Sequence, residues 1–330
     1  MKIGFFEITP GEDTFFKSAL PEDELLFSPE PLTEDNIPNF TDLEVVTFRS
    51  GSKINSTVID NLKNLKLISA RITGFDNIDT KTAAGKNIPV CNVPAYGENT
   101  VAEFAFGLIL SISRKIPFAI NRVKQTKKFD TSNLAGFDLK GKTLGVLGTG
   151  KIGSHLIKMA KGFEMEVIAF DAFPNEKLAA ELGYTYKPLE EVLSLSDVIS
   201  IHVPYLPSTH HLLNSQNIMK IKKGAILVNT ARGAVIETQA LVNALEQGII
   251  SAAGLDVLED EDALKQTDPA PADPTISLLN QKLISSPNVC ITPHLAFNSK
   301  EALQRILQTT VENITSFKQG TPKNLVKPQV

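Results

Sequence analysis

The chain has 330 residues, of which 42% are hydrophobic and 21% charged, and its formal net charge is −4 at pH 7. This length predicts two domains, and the small acidic charge gives no reason to expect nucleic acid or an anionic membrane as a partner. The N-terminus lacks the apolar stretch of a signal peptide, and no run of about 18 apolar residues suggests a membrane span. The two cysteines, Cys91 and Cys290, lie in apolar runs. We therefore expect a globular protein of the reducing cytoplasm.

The first 97 residues alternate between strand-like and helix-like segments. The predicted strands are residues 2–6, 25–27, 45–48, 67–70 and 89–92, with helices at 56–63 and 80–86. This alternation predicts a parallel sheet covered by helices. The loop 71–79 follows the fourth strand, and ligands of open α/β sheets bind at the carboxyl ends of strands. It is a candidate substrate loop, with a glycine turn and a helix cap at Asp79 as the alternative.

A long apolar helix is predicted for residues 99–115, and Pro117 is expected to end it. Its apolar surface is broad. We expect this helix either to be buried or to pack against another subunit. A polar stretch, residues 124–133, then leads to the next motif.

Residues 143–171 form a strand, a glycine-rich turn, a helix and a second strand. Gly148, Gly150 and Gly153 have G-x-G-x-x-G spacing, and Asp171 ends the second strand 18 residues after Gly153. The glycines allow a tight turn and a close approach to a pyrophosphate, while the carboxylate can accept hydrogen bonds from ribose hydroxyls. We expect a dinucleotide site, with a plain packing turn as the alternative. Asp171 would repel a 2′-phosphate, which favours NAD(H) over NADP(H).

The alternation of strands and helices continues after residue 171. The further strands are predicted at residues 197–203, 225–229, 251–257 and 289–292, with helices at 238–247 and 299–318. The acidic, proline-rich segment 259–288 interrupts this rhythm. We interpret it as an insertion that contains a short helix near residues 276–282.

Three ionisable residues follow predicted strand ends in the second half: Arg232, Glu261 and His294. Together they suit hydride transfer to a 2-keto acid, since the carbonyl carbon accepts hydride while its oxygen needs a proton. A histidine can supply that proton, and a neighbouring carboxylate would raise its pKa and fix its tautomer. A guanidinium can polarise the carbonyl and pair with the substrate carboxylate.

Each of these residues also has a structural alternative, such as a surface ion pair, a solvated acid or a buried polar group. Glu259 is a rival for the carboxylate, and His202, His210 and His211 are rivals for the histidine. His202 is expected inside a strand, in a structural role. No H-E-x-x-H motif and no Cys–His cluster with zinc spacing occurs, so no metal is expected.

The motifs together resemble the NAD-dependent D-isomer-specific 2-hydroxyacid dehydrogenases over almost the whole chain. The segments that carry the resemblance are RITGFDNID (71–79), NVPAYGENTVAE (92–103), GKTLGVLGTGKIG (141–153), HVPYLPSTHHLLN (202–214), LVNTARGAVIE (227–237), GLDVLEDE (254–261) and TPHLAFNS (292–299). Glu261 lies 29 residues after Arg232 and five after Asp256. Both spacings fit the family and favour Glu261 over Glu259.

The resemblance implies specific roles. Arg232 would bind substrate, Glu261 would tune the histidine and His294 would donate the proton. Substrate contacts would come from the amides of Gly74 and Phe75 and from Tyr96, which matches the D-lactate dehydrogenase branch. The implied cofactor contacts are Thr100, Gly148, Gly150, Lys151, Ile152, Gly153, Asp171, Val203, Pro204, Thr209, Thr230, Ala231, Arg232 and Asp256. Lys151 stands where arginine is common in the family.

The resemblance also implies the architecture. A Rossmann-type, doubly wound cofactor domain (98–297) would be inserted into a flavodoxin-like substrate domain (1–97 and 298–330). A homodimer would form through the cofactor domain, which would explain the apolar helix at 99–115. The chain would lack the C-terminal regulatory domain of many phosphoglycerate dehydrogenases.

The leading expectation is a D-lactate dehydrogenase-like enzyme that converts pyruvate, NADH and a proton to D-lactate and NAD⁺. A cleft between the domains would close over the substrate. The second possibility is a reductase of glyoxylate, hydroxypyruvate or a bulkier 2-keto acid. The third, from a different class, is an NAD(H)-sensing binding protein on the same fold.

Overall fold

The structure is a computed structural model that describes residues 1–264 and 273–327. The chain divides into two compact units. The first comprises Met1–Tyr96 and Ser299–Val330, and the second comprises Gly97–Asn298. The boundaries predicted from the sequence follow residues 97 and 297.

The first unit is built on a five-stranded sheet. Its elements before residue 97 are β1 (Lys2–Phe6), α1 (Glu12–Ala19), β2 (Glu24–Ser28), β3 (Val45–Phe48), α2 (Ser56–Asn61), β4 (Leu67–Ala70), α3 (Thr80–Gly85) and β5 (Val90–Cys91), with a 3₁₀ turn at Ile37–Asn39. All strand pairs are parallel, in the order β2-β1-β3-β4-β5. β3 and β4 are buried on both faces, which is why they read as continuous apolar runs. This is the flavodoxin-like order, and it confirms the predicted fold.

The second unit contains a seven-stranded parallel sheet. Its strands are β6 (Thr143–Leu147), β7 (Glu166–Phe170), β8 (Thr185–Tyr186), β9 (Val198–Ile201), β10 (Ala225–Asn229), β11 (Ile250–Leu255) and β12 (Val289–Ile291). They pair in the order β12-β11-β10-β9-β6-β7-β8. Strand order reverses between β6 and β9, the point at which doubly wound sheets bind ligands. The predicted Rossmann-type sheet is confirmed.

Helices and 3₁₀ turns connect these strands. The helices are α4 (Glu98–Ser113), α5 (Ile116–Thr126), α6 (Lys151–Gly162), α7 (Glu176–Leu182), α8 (Leu189–Leu195), α9 (Thr238–Glu246) and α10 (Pro274–Ser285), and the 3₁₀ turns are Ile218–Lys220, Gly233–Val235 and Glu261–Leu264. The last helix, α11 (Lys300–Lys318), returns to the first unit, where Asn313 Nδ2 donates to Asn92 O at 2.9 Å. Within the described residues, no helix has the length and apolarity to cross a membrane.

The expectation for Pro117 was wrong. α4 ends at Ser113, Lys115 adopts a left-handed φ of 51°, and Pro117 lies in the first turn of a separate helix, α5. Proline is favoured there because the first helical N–H groups have no intrahelical partner. The polar stretch predicted from residue 124 therefore begins inside α5.

Burial, one of the two alternatives for the apolar helix, is observed. α4 buries Ala105 and Ile109 completely and packs against α6, β10 and β11 of its own unit. In contrast, α5 has no buried residue.

The segment 259–288 contains more helix than predicted. α10 begins at Pro274, where the Asp273 side chain accepts from the Thr275 N–H at 2.7 Å, and it extends to Ser285. The carboxylate caps the free N–H groups at the helix start, so the expected short helix at 276–282 is the middle of a longer one. Residues 265–272, also within this segment, lie outside the described residues.

Candidate active site

Three ionisable side chains follow three neighbouring strands of the second unit. Arg232 lies three residues after β10, Glu261 six residues after β11 and His294 three residues after β12. β10 pairs with β11 and β11 with β12, both in parallel. Because the carboxyl ends of parallel strands share one edge, the fold gathers these residues on the ligand side of the sheet.

Glu261 and His294 contact each other directly. Glu261 Oε1 is hydrogen-bonded to His294 Nδ1, and Glu261 Oε2 accepts from the Leu258 N–H at 3.1 Å. A carboxylate on Nδ1 favours the tautomer with hydrogen on that atom, which leaves Nε2 as the atom that can exchange a proton. His294 also has a left-handed φ of 50°, a conformation that non-glycine residues adopt mostly in turns and functional sites.

The loop that carries His294 is fixed by Asp256. The His294 N–H donates to Asp256 O at 2.9 Å. The buried Asp256 carboxylate accepts from Thr292 Oγ1 at 2.5 Å, from Leu295 N at 3.0 Å and from Ala296 N at 2.8 Å. Burial raises the pKa of Asp256, while these hydrogen bonds act in the opposite direction. The resemblance implied that Asp256 contacts the cofactor. In the structure its carboxylate is instead hydrogen-bonded to the loop that carries His294.

Arg232 lies in a tight turn after β10. Asn229 Oδ1 accepts from Ala231 N at 2.9 Å, and Asn229 Nδ2 donates to Arg232 O at 2.9 Å. A Cβ on Gly233 would lie 2.0 Å from the carbonyl carbon of Leu258, so only glycine fits. The arginine turn is therefore packed against the segment that leads to Glu261.

The structure separates the two competing carboxylates. Glu259 Oε1 lies 2.7 Å from His211 Nε2, and Glu259 Oε2 accepts from Thr238 Oγ1 at 2.6 Å. The His210 ring stacks on His211 with centroids 3.9 Å apart. Glu259 therefore joins a second histidine–glutamate pair, which the sequence reasoning missed although it had named both residues as rivals.

His202 lies just after β9, not inside the strand as expected. Ser200 Oγ and His202 Nε2 are 2.8 Å apart. Burial lowers the pKa of His202 to about 4, so its imidazole is neutral near neutral pH. A neutral imidazole in this position is poorly suited to donate a proton.

The glycine-rich turn joins β6 to α6. Gly148 has a φ of 95°, and a Cβ on Gly153 would lie 2.1 Å from Gly148 O. At Gly150, the N-cap of α6, a Cβ would meet no atom within 4 Å, and no side chain caps the helix. The turn is thus tight where the helix packs on the strand and open where free N–H groups face outward, as phosphate binding requires.

A cavity of about 380 Å³ lies beside this turn. Its lining residues are Glu98, Thr149, Gly150, Lys151, Ser154, His155, Lys158, Asn175 and Leu178. Lys151 Nζ is 3.1 Å from Glu98 Oε1, and most of the lysine side chain is exposed. Lysine here keeps the positive charge that an arginine would provide for phosphates.

Asp171 is held at the edge of the same turn. Its Oδ2 accepts from Thr149 N at 2.7 Å and from Thr149 Oγ1 at 3.0 Å, and its Oδ1 accepts from Phe173 N at 2.9 Å. Tyr186 OH lies 2.7 Å from Thr149 Oγ1. The sequence reasoning missed both Thr149 and Tyr186. Thr149 stands within the glycine motif and could have been considered, but no motif marks Tyr186.

One buried atom supports the fit of a dinucleotide. Thr230 Oγ1 is buried without a hydrogen-bond partner among the described residues, and a ligand amide or hydroxyl could satisfy it. The unpartnered Thr230 hydroxyl and the open space at Gly150 together fit a bound NAD(H) dinucleotide. The remaining predicted cofactor residues also lie in the second unit: Thr100 in α4, Ile152 in α6, Val203, Pro204 and Thr209 after β9, and Ala231 after β10.

The predicted substrate residues belong to the first unit. Gly74 and Phe75 lie in the loop after β4, which is fixed by hydrogen bonds from Asn92 Nδ2 to Thr73 O at 2.7 Å and from Thr73 Oγ1 to Val93 O at 2.8 Å. Tyr96 O accepts from Arg305 Nε at 2.7 Å. In the described residues, no cluster of three or more His, Cys, Asp or Glu side chains could hold a metal ion.

Comparison with known proteins gives the context for this geometry. Residues 106–296 match the profile of the D-isomer specific 2-hydroxyacid dehydrogenase, NAD binding domain. The chain is 38% identical to the D-lactate dehydrogenase of Escherichia coli over 92% of each chain. It is 39% identical to the aromatic 2-oxoacid reductase of Clostridium sporogenes over 82% of each.

A solved structure extends the likeness to the fold. The Aquifex aeolicus D-lactate dehydrogenase, complexed with NAD and lactic acid, has a TM-score of 0.90 and 34% identity, with 99% of this chain and 100% of that chain covered. These relatives match the chain across both units. The chain therefore belongs to the D-isomer specific 2-hydroxyacid dehydrogenases, a family of NAD-dependent oxidoreductases.

Proposed function

We propose that this enzyme reduces pyruvate to D-lactate. The observation that carries the proposal is the hydrogen-bonded His294–Glu261 pair beside the Arg232 turn, at the carboxyl edge of the cofactor sheet. The relatives named D-lactate dehydrogenase support the choice of pyruvate. The match of Tyr96 to that branch supports it further.

The proposed roles follow from the chemistry of each side chain. Bound NADH supplies the hydride to the carbonyl carbon. Arg232 polarises the carbonyl group and pairs with the substrate carboxylate, and the amides of Gly74 and Phe75 hold that carboxylate. His294 donates a proton from Nε2 to the carbonyl oxygen, and Glu261 stabilises the imidazolium before transfer.

The cofactor unit itself would hold NAD(H) through the residues around the glycine turn. The N–H groups at the start of α6 and the Lys151 ammonium face the pyrophosphate in this proposal. Asp171 accepts from a ribose hydroxyl through Oδ1, since this oxygen accepts from Phe173 N and has a second lone pair. Its negative charge disfavours a 2′-phosphate.

A specific observation keeps a second substrate class open. The aromatic 2-oxoacid reductase shares slightly more identity with this chain than the D-lactate dehydrogenase of Escherichia coli does. A bulkier 2-keto acid is therefore the first alternative substrate, and glyoxylate and hydroxypyruvate are further alternatives. The catalytic roles would be unchanged, because the reacting 2-keto acid group is the same.

The test measures NADH oxidation by absorbance against glyoxylate, pyruvate, hydroxypyruvate and phenylpyruvate. We expect the highest kcat/KM with pyruvate, D-lactate as product and a much lower rate with NADPH. His294→Gln should lower turnover by about 10²–10⁴-fold while NADH still binds. A clear preference for another keto acid would replace the proposed substrate, and near-normal turnover of His294→Gln would refute the proton donor.

We further propose a homodimer formed through the cofactor unit. The support comes from α5, whose apolar residues Ile116, Ile120 and Val123 are 44%, 47% and 38% exposed. They recur at intervals of four and three residues and therefore share one helix face. Phe129, just beyond the helix, is 96% exposed. Apolar residues clustered in this way commonly mark an interface.

We also propose a reducing, cytoplasmic location. Cys91 and Cys290 are both free. Burial raises the pKa of Cys91 to about 11, so its thiol stays protonated and unreactive. Two free cysteines, one buried and one half-buried, are typical of proteins from reducing compartments.

A further inference from the structure

One tyrosine outside every motif is hydrogen-bonded to three parts of the cofactor unit. Tyr186 belongs to β8, the two-residue strand at the edge of the seven-stranded sheet. Its hydroxyl lies 2.7 Å from Thr149 Oγ1 and 2.9 Å from Tyr184 OH, and it accepts from the Asn175 N–H at 3.0 Å. The hydroxyl thus connects the glycine turn, the loop after β7 and the sheet edge.

The direction of these hydrogen bonds can be assigned by counting donors. Each hydroxyl has one hydrogen to donate, and an ionised carboxylate can only accept. Thr149 Oγ1 gives its hydrogen to Asp171 Oδ2, so its contact with Tyr186 must be a bond that it accepts. Tyr186 therefore donates to Thr149 and accepts from Tyr184. Burial raises the pKa of Tyr184, which agrees with a protonated donor at the start of this chain.

The hydroxyl groups thus form a series of hydrogen bonds in which every donor points towards Asp171. The order is Tyr184 to Tyr186 to Thr149 to the Asp171 carboxylate. Thr149 and Asn175, two of the groups that Tyr186 contacts, also line the cavity beside the glycine turn. Aligned hydroxyl dipoles strengthen one another and hold a carboxylate in place without adding a charge.

We propose that Tyr186 is a positioning residue that sets the affinity of the enzyme for the adenosine half of NAD(H) and its discrimination against NADPH. While these hydrogen bonds are intact, the Asp171 carboxylate is held in the orientation that binds the ribose. In the same orientation its negative charge repels the 2′-phosphate of NADPH. Without the Tyr186 hydroxyl, Thr149 loses a donor and the carboxylate gains rotational freedom. Ribose binding then weakens, and the penalty against the 2′-phosphate falls. The proposal rests on the assignment of Asp171 to the ribose and is independent of the keto acid.

The test compares Tyr186→Phe with Tyr184→Phe, because both delete one phenolic oxygen and keep the ring. Direct titration by NADH fluorescence measures cofactor binding alone and needs no keto acid. Tyr186→Phe should raise the NADH dissociation constant about three- to tenfold and lower the ratio of NADPH to NADH dissociation constants. Tyr184→Phe should have a clearly smaller effect, and kcat at saturating NADH should stay within about twofold in both.

A double-variant cycle separates positioning from a loss of structure. Thr149→Val already interrupts the series of hydrogen bonds to Asp171. Adding Tyr186→Phe to this variant should therefore not weaken NADH binding further. Equal effects of the two tyrosine variants, full additivity in the cycle or an unchanged NADPH-to-NADH ratio would overturn the proposal. Asp171→Ala serves as the reference: if it leaves NADH binding unchanged, the ribose assignment fails, and if it alone weakens binding, only the role of Tyr186 fails.

Discussion

Glu259 and Glu261 are two residues apart, yet they hold different histidines. Glu261 is bonded to His294, whereas Glu259 is bonded to His211 and Thr238. The sequence favoured Glu261 only through its spacing from Arg232 and Asp256, because an acidic run carries no signal of which carboxylate turns inward. The structure supplies that choice, since Glu261 opens a 3₁₀ turn whose geometry brings its side chain to the histidine loop.

This pairing predicts different outcomes for two matched substitutions. Glu261→Gln should lower kcat/KM for keto acid reduction by about two orders of magnitude, because an amide cannot stabilise the imidazolium that donates the proton. Glu259→Gln should change kcat/KM by less than about threefold, with its effect mainly on thermal stability through the lost bonds to His211 and Thr238. Steady-state kinetics and thermal melts of both variants check this, and similar kinetic losses in the two would contradict the assignment.

Other contacts of the site could not have been predicted at the residue scale. The Asp256 carboxylate holds N–H groups of Leu295 and Ala296, which are 39 and 40 residues further along the chain. Tyr186 reaches Thr149 across 37 residues. Such contacts depend on which strands become neighbours, and no local pattern in the sequence encodes that order.

At the scale of elements, long segments with a clear apolar period were predictable and short or interrupted ones were not. The βαβ unit from Thr143 to Phe170 matches its prediction, because its glycine turn and helix each have a strong local signal. β8 has only two residues, which is too few to show alternation. α5 was missed because Pro117 was interpreted as the end of one helix when it lies at the start of the next.

The exposed face of α5 predicts the behaviour of the assembly. Ile120→Asp should convert a dimer to monomers, since burying an unpaired carboxylate costs about 3 kcal/mol or more, equivalent to at least a 100-fold rise in dissociation constant. Leu195→Asp is a matched control, because Leu195 is 46% exposed in the same unit at the end of α8. Sedimentation of both variants is the measurement. A monomeric wild type, or a dimer that survives Ile120→Asp, would contradict the proposed interface.

At the scale of the whole molecule, His202 links stability to pH. Its pKa is lowered to about 4 in the folded state by burial, against an ordinary value of about 6.5. As pH falls, His202 therefore takes up a proton in the unfolded chain at a higher pH than it does in the folded protein. This contribution to stability is fully present above pH 6.5, is lost progressively towards pH 4 and changes no further below that.

The expected size of this loss is about 3 kcal/mol at most. Denaturant unfolding of the wild type and of His202→Asn, measured between pH 7 and pH 4, tests it. The wild type should lose more free energy of unfolding over this interval than the variant. Parallel losses in the two proteins would show that other groups dominate the pH dependence.

The division of the first unit into two pieces has a consequence for how the protein is made. The buried bond from Asn313 to Asn92 and the buried Ile314, which packs in the same cluster as Ile3 and Phe5, join parts of the chain separated by the 202 residues of the second unit. At about 5–20 residues per second, a ribosome needs about 10–40 s to synthesise that interval. Until α11 is made, the face of the five-stranded sheet that it shares with α1 is only partly covered. The unit whose synthesis begins first is therefore completed last. A nascent chain that lacks α11 exposes apolar residues of the first unit, and we expect chaperones to bind this form.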